Sequence, residues 1–351
     1  MSLERISAEQ ALASLADYSA VIDARSEGEY AEDHLPGAVN WPSLNDEERK
    51  VVGTRYKQIS QFEAKKLGAA LVAKNIAAHI QREVLDKPRE WQPLIYCWRG
   101  GKRSGSLALI LDQIGFKVTL VDGGYKAFRA ALVADLPQLA ARHQYRVVCG
   151  PTGAGKTRLL HALAAQGAQV LDLEGLANHR SSVLGIIPGV PQPSQKAFDS
   201  LVWTALRRFD PARPVYIESE SKKVGNVAVP EGLIAAMRAS PCLRLNLAED
   251  ERVALLLEDY DFFVKDIAFF CDRLGALTEA RGKEVVSDWQ TRARNGDVAS
   301  VVRELLLQHY DPVYLQSMRR NFTQYDTAQV LAPRDHTAAA MDVVARSLLA
   351  A

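Results

Sequence analysis

Gly150-Pro151-Thr152-Gly153-Ala154-Gly155-Lys156-Thr157 fits the pattern G-x-x-x-x-G-K-[ST] at every fixed position. It stands between an apolar run, Tyr145 to Cys149, and a helical pattern running from Lys156 to about Ala165. A strand feeding such a loop, and the loop feeding a helix, is one half of a wound α/β unit, so this segment constrains its surroundings to a parallel sheet with helices. The glycines let backbone N–H groups turn inward on phosphate oxygens, Lys156 reaches terminal oxygens, and Thr157 offers a hydroxyl to Mg²⁺. Gly150, Thr152, Gly153, Ala154, Gly155, Lys156 and Thr157 are therefore the expected phosphate-binding residues. Metal-ligating carboxylates belong at strand ends, which makes Asp172, Glu218 and Glu220 the candidates beside Thr157, with a solvated or capping acid as the alternative for each. No guanine-reading N-K-x-D occurs, and such a loop would hold any diphosphate, so neither GTP nor ATP is specified.

Around this loop, Val170-Leu171-Asp172 and Val215-Tyr216-Ile217 read as further strands, and Gly167 as a helix stop. From Glu249 to Leu274, Val253, Leu256, Leu257, Tyr260, Val264, Ile267 and Phe270 recur at helical spacing, and the remainder also reads as mostly helical.

A second anion-holding loop lies upstream, Tyr96-Cys97-Trp98-Arg99-Gly100-Gly101-Lys102-Arg103-Ser104. It follows a buried strand, Leu94 to Tyr96, and opens a helix, Ser104 to Leu111, ended near Gly115. Arg99, Lys102 and Arg103, converging amides and a helix N-terminus together favour a thiolate at Cys97. A cysteine that merely packs at a strand end would not need these cations, so Cys97, Arg99 and Arg103 are the expected catalytic residues. Ala20 to Asp23 and Val118 to Val121 complete an alternating pattern, and Ser7-Ala8-Glu9-Gln10 is a capping box opening a short helix. The polar stretch from Asp135 to Gln144 reads as a linker, giving domains 1–140 and 141–351.

The bulk numbers fit a two-domain globular chain: 351 residues, 48% apolar and 24% charged. No apolar run approaches the roughly 20 residues of a bilayer span, and Met1 to Arg5 lead into a helical pattern with no signal-peptide core, so a cytoplasmic protein without a membrane partner is expected. Cys97, Cys149, Cys242 and Cys271 form no CxxC pair, and the histidines lack metal spacing. The net charge of +1 leaves nucleic acid to local basic patches. His179-Arg180, Arg207-Arg208, Lys222-Lys223 and Arg319-Arg320 each read as surface charge with phosphate-backbone contact as the alternative, and His179, Arg180, Arg319 and Arg320 are carried forward as the RNA-binding candidates. Tyr310 and Tyr314 read as helix packing, with base stacking as the alternative.

The N-terminal part resembles a rhodanese domain. Val21-Ile22-Asp23-Ala24-Arg25-Ser26-Glu27-Gly28-Glu29-Tyr30, His34-Leu35-Pro36-Gly37-Ala38-Val39-Asn40 and Gly123-Gly124-Tyr125 carry the likeness. It implies a cysteine that carries or positions sulfur or selenium. Five residues separate Cys97 from Arg103, one more than ordinary sulfurtransferases of this fold commonly have, a spacing shared with phosphatase relatives and suited to a phosphorylated donor. The whole chain resembles the tRNA 2-selenouridine synthase family, through both loops and through Leu173 to Arg180, Gln192 to Gln195, Glu218 to Ser221 and Tyr310 to Tyr314, with Ser181 where glycine is expected. That resemblance implies an α/β chain with an N-terminal rhodanese-like wound parallel sheet and a C-terminal P-loop α/β domain with a mostly helical extension. It further implies exchange of sulfur for selenium at wobble 2-thiouridine of tRNA through an S-geranylated intermediate, with selenophosphate and geranyl diphosphate as co-substrates and Mg²⁺ as a candidate ion. A selenophosphate-producing enzyme is a candidate partner. The alternative is a sulfurtransferase with a nucleotide-regulated P-loop module.

Overall fold

A computed structural model describes residues 3–180, 182 and 184–350 of the chain. It divides into two compact units, Met1–Leu136 with Ser194–Thr204, and Pro137–Pro193 with Ala205–Ala351.

The first unit is built on a parallel sheet of β1 (Glu4–Ile6), β2 (Ala20–Asp23), β3 (Ala38–Asn40), β4 (Pro93–Tyr96) and β5 (Thr119–Val121), in the order β1-β5-β4-β2-β3. β4 is buried along its whole length, as a central strand covered on both faces must be. Ile22, Ile95, Leu107, Leu111 and Leu120 are fully buried and tie the sheet to the helix Lys102–Ile114. Two helices, Asp46–Gln58 and Gln61–Glu83, lie between β3 and β4. Ahead of the expected helix the structure adds a strand the sequence reading did not assign: Glu4–Ile6 is an edge strand paired parallel with β5. Three residues are too few to show a periodicity, and the helix begins only after the Ser7 capping box.

The boundary between the two units falls inside the expected linker, between Leu136 and Pro137, but that stretch is mostly helical. Helix Gly124–Ala141 runs through most of it with Pro137 inside. Leu132, Leu136, Leu139 and Ala140 are all buried at helical spacing, and that burial outweighs the hydrogen bond that proline removes.

The second unit carries β6 (Tyr145–Cys149), β7 (Gln169–Leu171), β8 (Val215–Glu218), a short antiparallel pair β9 (Lys223–Val224) and β10 (Val227–Ala228), then β11 (Cys242–Leu245) and β12 (Gln329–Leu331). The main sheet is parallel with order β12-β11-β6-β8-β7, so β6 is central and the phosphate loop leaves its carboxyl end. In open wound sheets this is where ligands bind. Val148, Leu159, Leu163, Leu243 and Met341 form the sheet's core. The stripe from Glu249 to Leu274 is three helices rather than one, Glu249–Asp259, Asp261–Lys265 and Ile267–Gly275. Its apolar residues join Trp289, Val301 and Leu305 in a separate helical core. Among the described residues no helix is long and apolar enough to cross a membrane.

Candidate active sites in the two units

In the first unit, Cys97 follows β4 and is 3% exposed. Its Sγ accepts hydrogen bonds from the Gly101 N–H at 3.2 Å and the Ser104 hydroxyl at 3.1 Å. Both donors sit at the start of the helix Lys102–Ile114, so the thiol faces a helix N-terminus, where negative charge is favoured. The loop is tied down from the far side: Tyr125 N–H donates to the Cys97 carbonyl at 2.8 Å and Lys126 N–H to that of Trp98 at 3.1 Å. Gly124 makes this approach possible, since it lies at φ +58° and a Cβ there would stand 2.1 Å from the Cys97 oxygen.

The expected cations divide. Arg99 and Lys102 are exposed. Arg103 is committed to Glu29, with Nη1 2.7 Å from Oε2, and Arg49 reaches the same carboxylate at 3.2 Å. Burial works to raise the Glu29 carboxyl, but Arg103 first, then the Ser26 backbone N–H and Arg49, outweigh burial and hold it below its ordinary range. Beneath the loop, Arg25 and Asp23 form a buried pair at 2.6 Å. The Tyr96 hydroxyl donates to Asp23 at 2.8 Å and the Arg25 guanidinium lies 3.9 Å from the Tyr125 ring centre, so residues flanking the thiol are pinned from below.

In the second unit, Gly155 at φ +86° closes the phosphate loop and opens the helix Lys156–Ala165. Lys156 Nζ donates to the Gly150 carbonyl at 2.9 Å, and Gly150 N–H donates to the Tyr314 hydroxyl at 2.5 Å. Arg252, 6% exposed, braces the loop by donating Nε and Nη2 to the Thr152 carbonyl at 3.0 and 2.8 Å while gripping Asp311 through both terminal nitrogens. None of these braces is signalled by a motif, although Asp311 and Tyr314 lie in the stretch quoted for the family likeness.

Thr157 Oγ1 donates to Glu174 Oε2 at 3.2 Å, an acid the sequence reading did not single out. Asp172 instead caps the helix Leu173–Ala177 by accepting from Gly175 N–H at 2.7 Å. Glu218 is 1% exposed; Oε1 accepts from Glu174 N–H at 2.9 Å and Oε2 has no partner. Burial, then the charges of Glu220, Asp172 and Glu174, push the Glu218 carboxyl well above the carboxylate range. Excess negative charge beside a hydroxyl suits a divalent cation. Among the described residues no three His, Cys, Asp or Glu side chains converge as a cage, so Mg²⁺ would take Thr157 and Glu174 and complete its shell with phosphate and water.

A cleft of about 810 Å³ is lined by Lys156, Thr157, Glu174, His179, Arg180 and Tyr314 among others. A narrow apolar chamber of about 50 Å³ is lined by Leu256, Phe263, Phe270, Val298 and Leu305. Thr152, Ser182, Leu256, Tyr260 and Tyr310 line both. Of the expected RNA contacts, His179 and Arg180 line the cleft, and Arg180 is spent on the Asp259 carbonyl and on the Tyr260 ring, 4.6 Å from its centre. Arg319 and Arg320 lie exposed on the helix Asp311–Asn321, Arg319 being paired with Asp326 at 3.5 Å. Ser181 lies outside the described residues.

Residues 7–131 match the family model described as "Rhodanese-like domain", and residues 143–276 match "tRNA 2-selenouridine synthase AAA domain". Proteins named tRNA 2-selenouridine synthase are similar to the chain. That of Nitrosomonas europaea is 37% identical over 68% of this chain and 63% of its own length, and that of Marinobacter nauticus 39% over 68% and 65%. That of Shewanella denitrificans is 31% identical over 88% of this chain and 82% of its own. The chain thus spans somewhat less than two thirds of the first two relatives. A cysteine-loop unit of rhodanese type followed by a phosphate-loop unit of AAA type defines the class. The chain belongs to the tRNA 2-selenouridine synthase family.

Proposed function

We propose that the chain exchanges the sulfur of wobble 2-thiouridine in tRNA for selenium through an S-geranylated intermediate. The observation that carries this reading is the apolar chamber sharing walls with the phosphate cleft, a shape suited to a molecule with a diphosphate head and a hydrocarbon tail. A nucleotide-regulated sulfurtransferase would have no use for such a chamber.

The chemistry runs in balanced steps. The thio sulfur attacks C1 of geranyl diphosphate, the C1–S bond forms, the C1–O bond breaks, diphosphate leaves with the electron pair, and the N3 proton is lost. A thiocarbonyl sulfur leaves poorly, whereas the S-alkyl group now leaves as a thiol. Selenium of selenophosphate then attacks C2 and geranylthiol departs. Water takes the phosphoryl group and 2-selenouridine remains. Lys156 and the loop amides hold the departing diphosphate, and a Mg²⁺ ion on Thr157 and Glu174 would neutralise its charge. Cys97, its two hydrogen-bond donors, Arg99 and Lys102 supply an anion-favouring site for the selenium donor. A selenophosphate-producing enzyme would be the upstream partner.

Nucleoside mass spectrometry of tRNA incubated with the purified chain, geranyl diphosphate and selenophosphate tests this. Geranylated thiouridine and then selenouridine are expected. Lys156→Ala should block the first product, and Cys97→Ser should let the first accumulate while losing the second. Absence of both products with the unaltered chain would refute the reading.

A further inference from the structure

Among the described residues, the wall between the phosphate cleft and the apolar chamber contains a hydroxyl that no hydrogen bond employs. The Tyr310 hydroxyl is buried and has no hydrogen-bond partner. The Ser182 hydroxyl is near enough to ease the effect of burial on the phenol, yet makes no hydrogen bond with it. A buried, unsatisfied hydroxyl destabilises a folded chain, so it persists when something else uses it.

Its backbone setting is equally unusual. Leu305–Tyr310 is π-helical, and such segments are rare and concentrate at functional sites. This segment places Leu305 and Leu306 in the chamber wall and Tyr310 where chamber and cleft meet. The adjoining turn runs into Asp311, which through Arg252 holds the Thr152 carbonyl of the phosphate loop. The Tyr310 hydroxyl is therefore fixed relative to the loop that takes the head group.

We infer that Tyr310 is a catalytic residue that hydrogen-bonds the bridging oxygen of the prenyl diphosphate, the atom joining apolar tail to anionic head. This rests on the reading under Proposed function. In the alkylation step the C1–O bond breaks and negative charge grows on that oxygen, so a fixed donor there stabilises the transition state more than the bound substrate. The phenol lends the hydrogen bond and keeps its proton: burial pushes it up to about 12, and the leaving diphosphate departs as an anion.

Tyr310→Phe separates this from a packing role, because it removes only the oxygen. For geranyl transfer to 2-thiouridine tRNA, kcat should fall on the order of 10²-fold while KM for geranyl diphosphate moves by less than about threefold. The variant's melting temperature should equal or exceed that of the parent, since an unsatisfied hydroxyl has been removed. Undiminished kcat, or a loss of activity matched by a loss of stability, would overturn the inference and leave the reading of function intact. Failure of the unaltered chain to transfer geranyl would overturn both.

Discussion

Arg25 sits 1% exposed between Asp23, the Asp33 carbonyl and the Tyr125 ring. Tyr125 in turn donates its hydroxyl to Asp33 at 2.7 Å, closing a circuit around the base of the cysteine loop. Removing one partner of a buried pair leaves the other charge stranded, so Arg25→Ala should cost the first unit roughly 3–5 kcal/mol, read by urea unfolding. Beside this circuit the cations around the thiol divide: Arg103 is held at the side by Glu29, while Arg99 and Lys102 reach solvent. That division could not be read from the loop itself, because Glu29 is distant in sequence and only the fold makes it the counter-charge. Cys97 and Lys156, by contrast, announce themselves through local spacing alone.

Turns and helix ends decide what these side chains can reach. Gly124→Ala would drive a Cβ into the Cys97 carbonyl at a left-handed backbone position, whereas Gly105, inside the helix Lys102–Ile114, has nothing within 4 Å of the place a Cβ would occupy. Gly124→Ala should therefore slow alkylation of Cys97 by iodoacetamide or unfold the loop. Gly105→Ala should leave alkylation unchanged and stabilise the unit by up to about 1 kcal/mol in thermal melts. On the other sheet, His336 bridges Glu251 at 2.5 Å and Glu258 at 2.9 Å, both on the helix Glu249–Asp259, with Arg158, Asp259 and Asp335 nearby. Glu258 first and then Glu251 raise the imidazole above its ordinary value. Stability from a raised histidine is fully present below the unfolded value near 6.5 and is lost as pH rises through the folded one. His336→Gln should thus lower the melting temperature at pH 5.5 more than at pH 8.5. Strands β2, β4 and β6 were legible because each leads into a motif. β1 and β12 were not, being short edge strands whose residues are mostly exposed, and the stripe from Val253 to Phe270 showed helical spacing without showing that its apolar side chains surround a chamber.

The chain's units are not simple consecutive halves. Ser194–Thr204 follows the phosphate loop in sequence but belongs to the unit of Cys97. There Trp203, 2% exposed, donates its indole N–H to Asp135 at 2.8 Å and meets Phe128 edge-on, while Arg129 pairs with Asp199. A sequence reading that cuts the chain once cannot see this, because no local composition marks a segment that returns. Trp203→Ala should cost about 3–5 kcal/mol, and hydrogen exchange should show the lost protection around β5 and Gly124 to Leu136 rather than around β6 and β8. During synthesis, the earlier sheet emerges from the ribosome long before its final covering piece has been translated. It must stay incomplete, with Phe128 bare, until the phosphate loop and the helix after it have also been made. Nascent chains stalled before Ser194 should therefore be bound by chaperones that a chain extended past Thr204 releases.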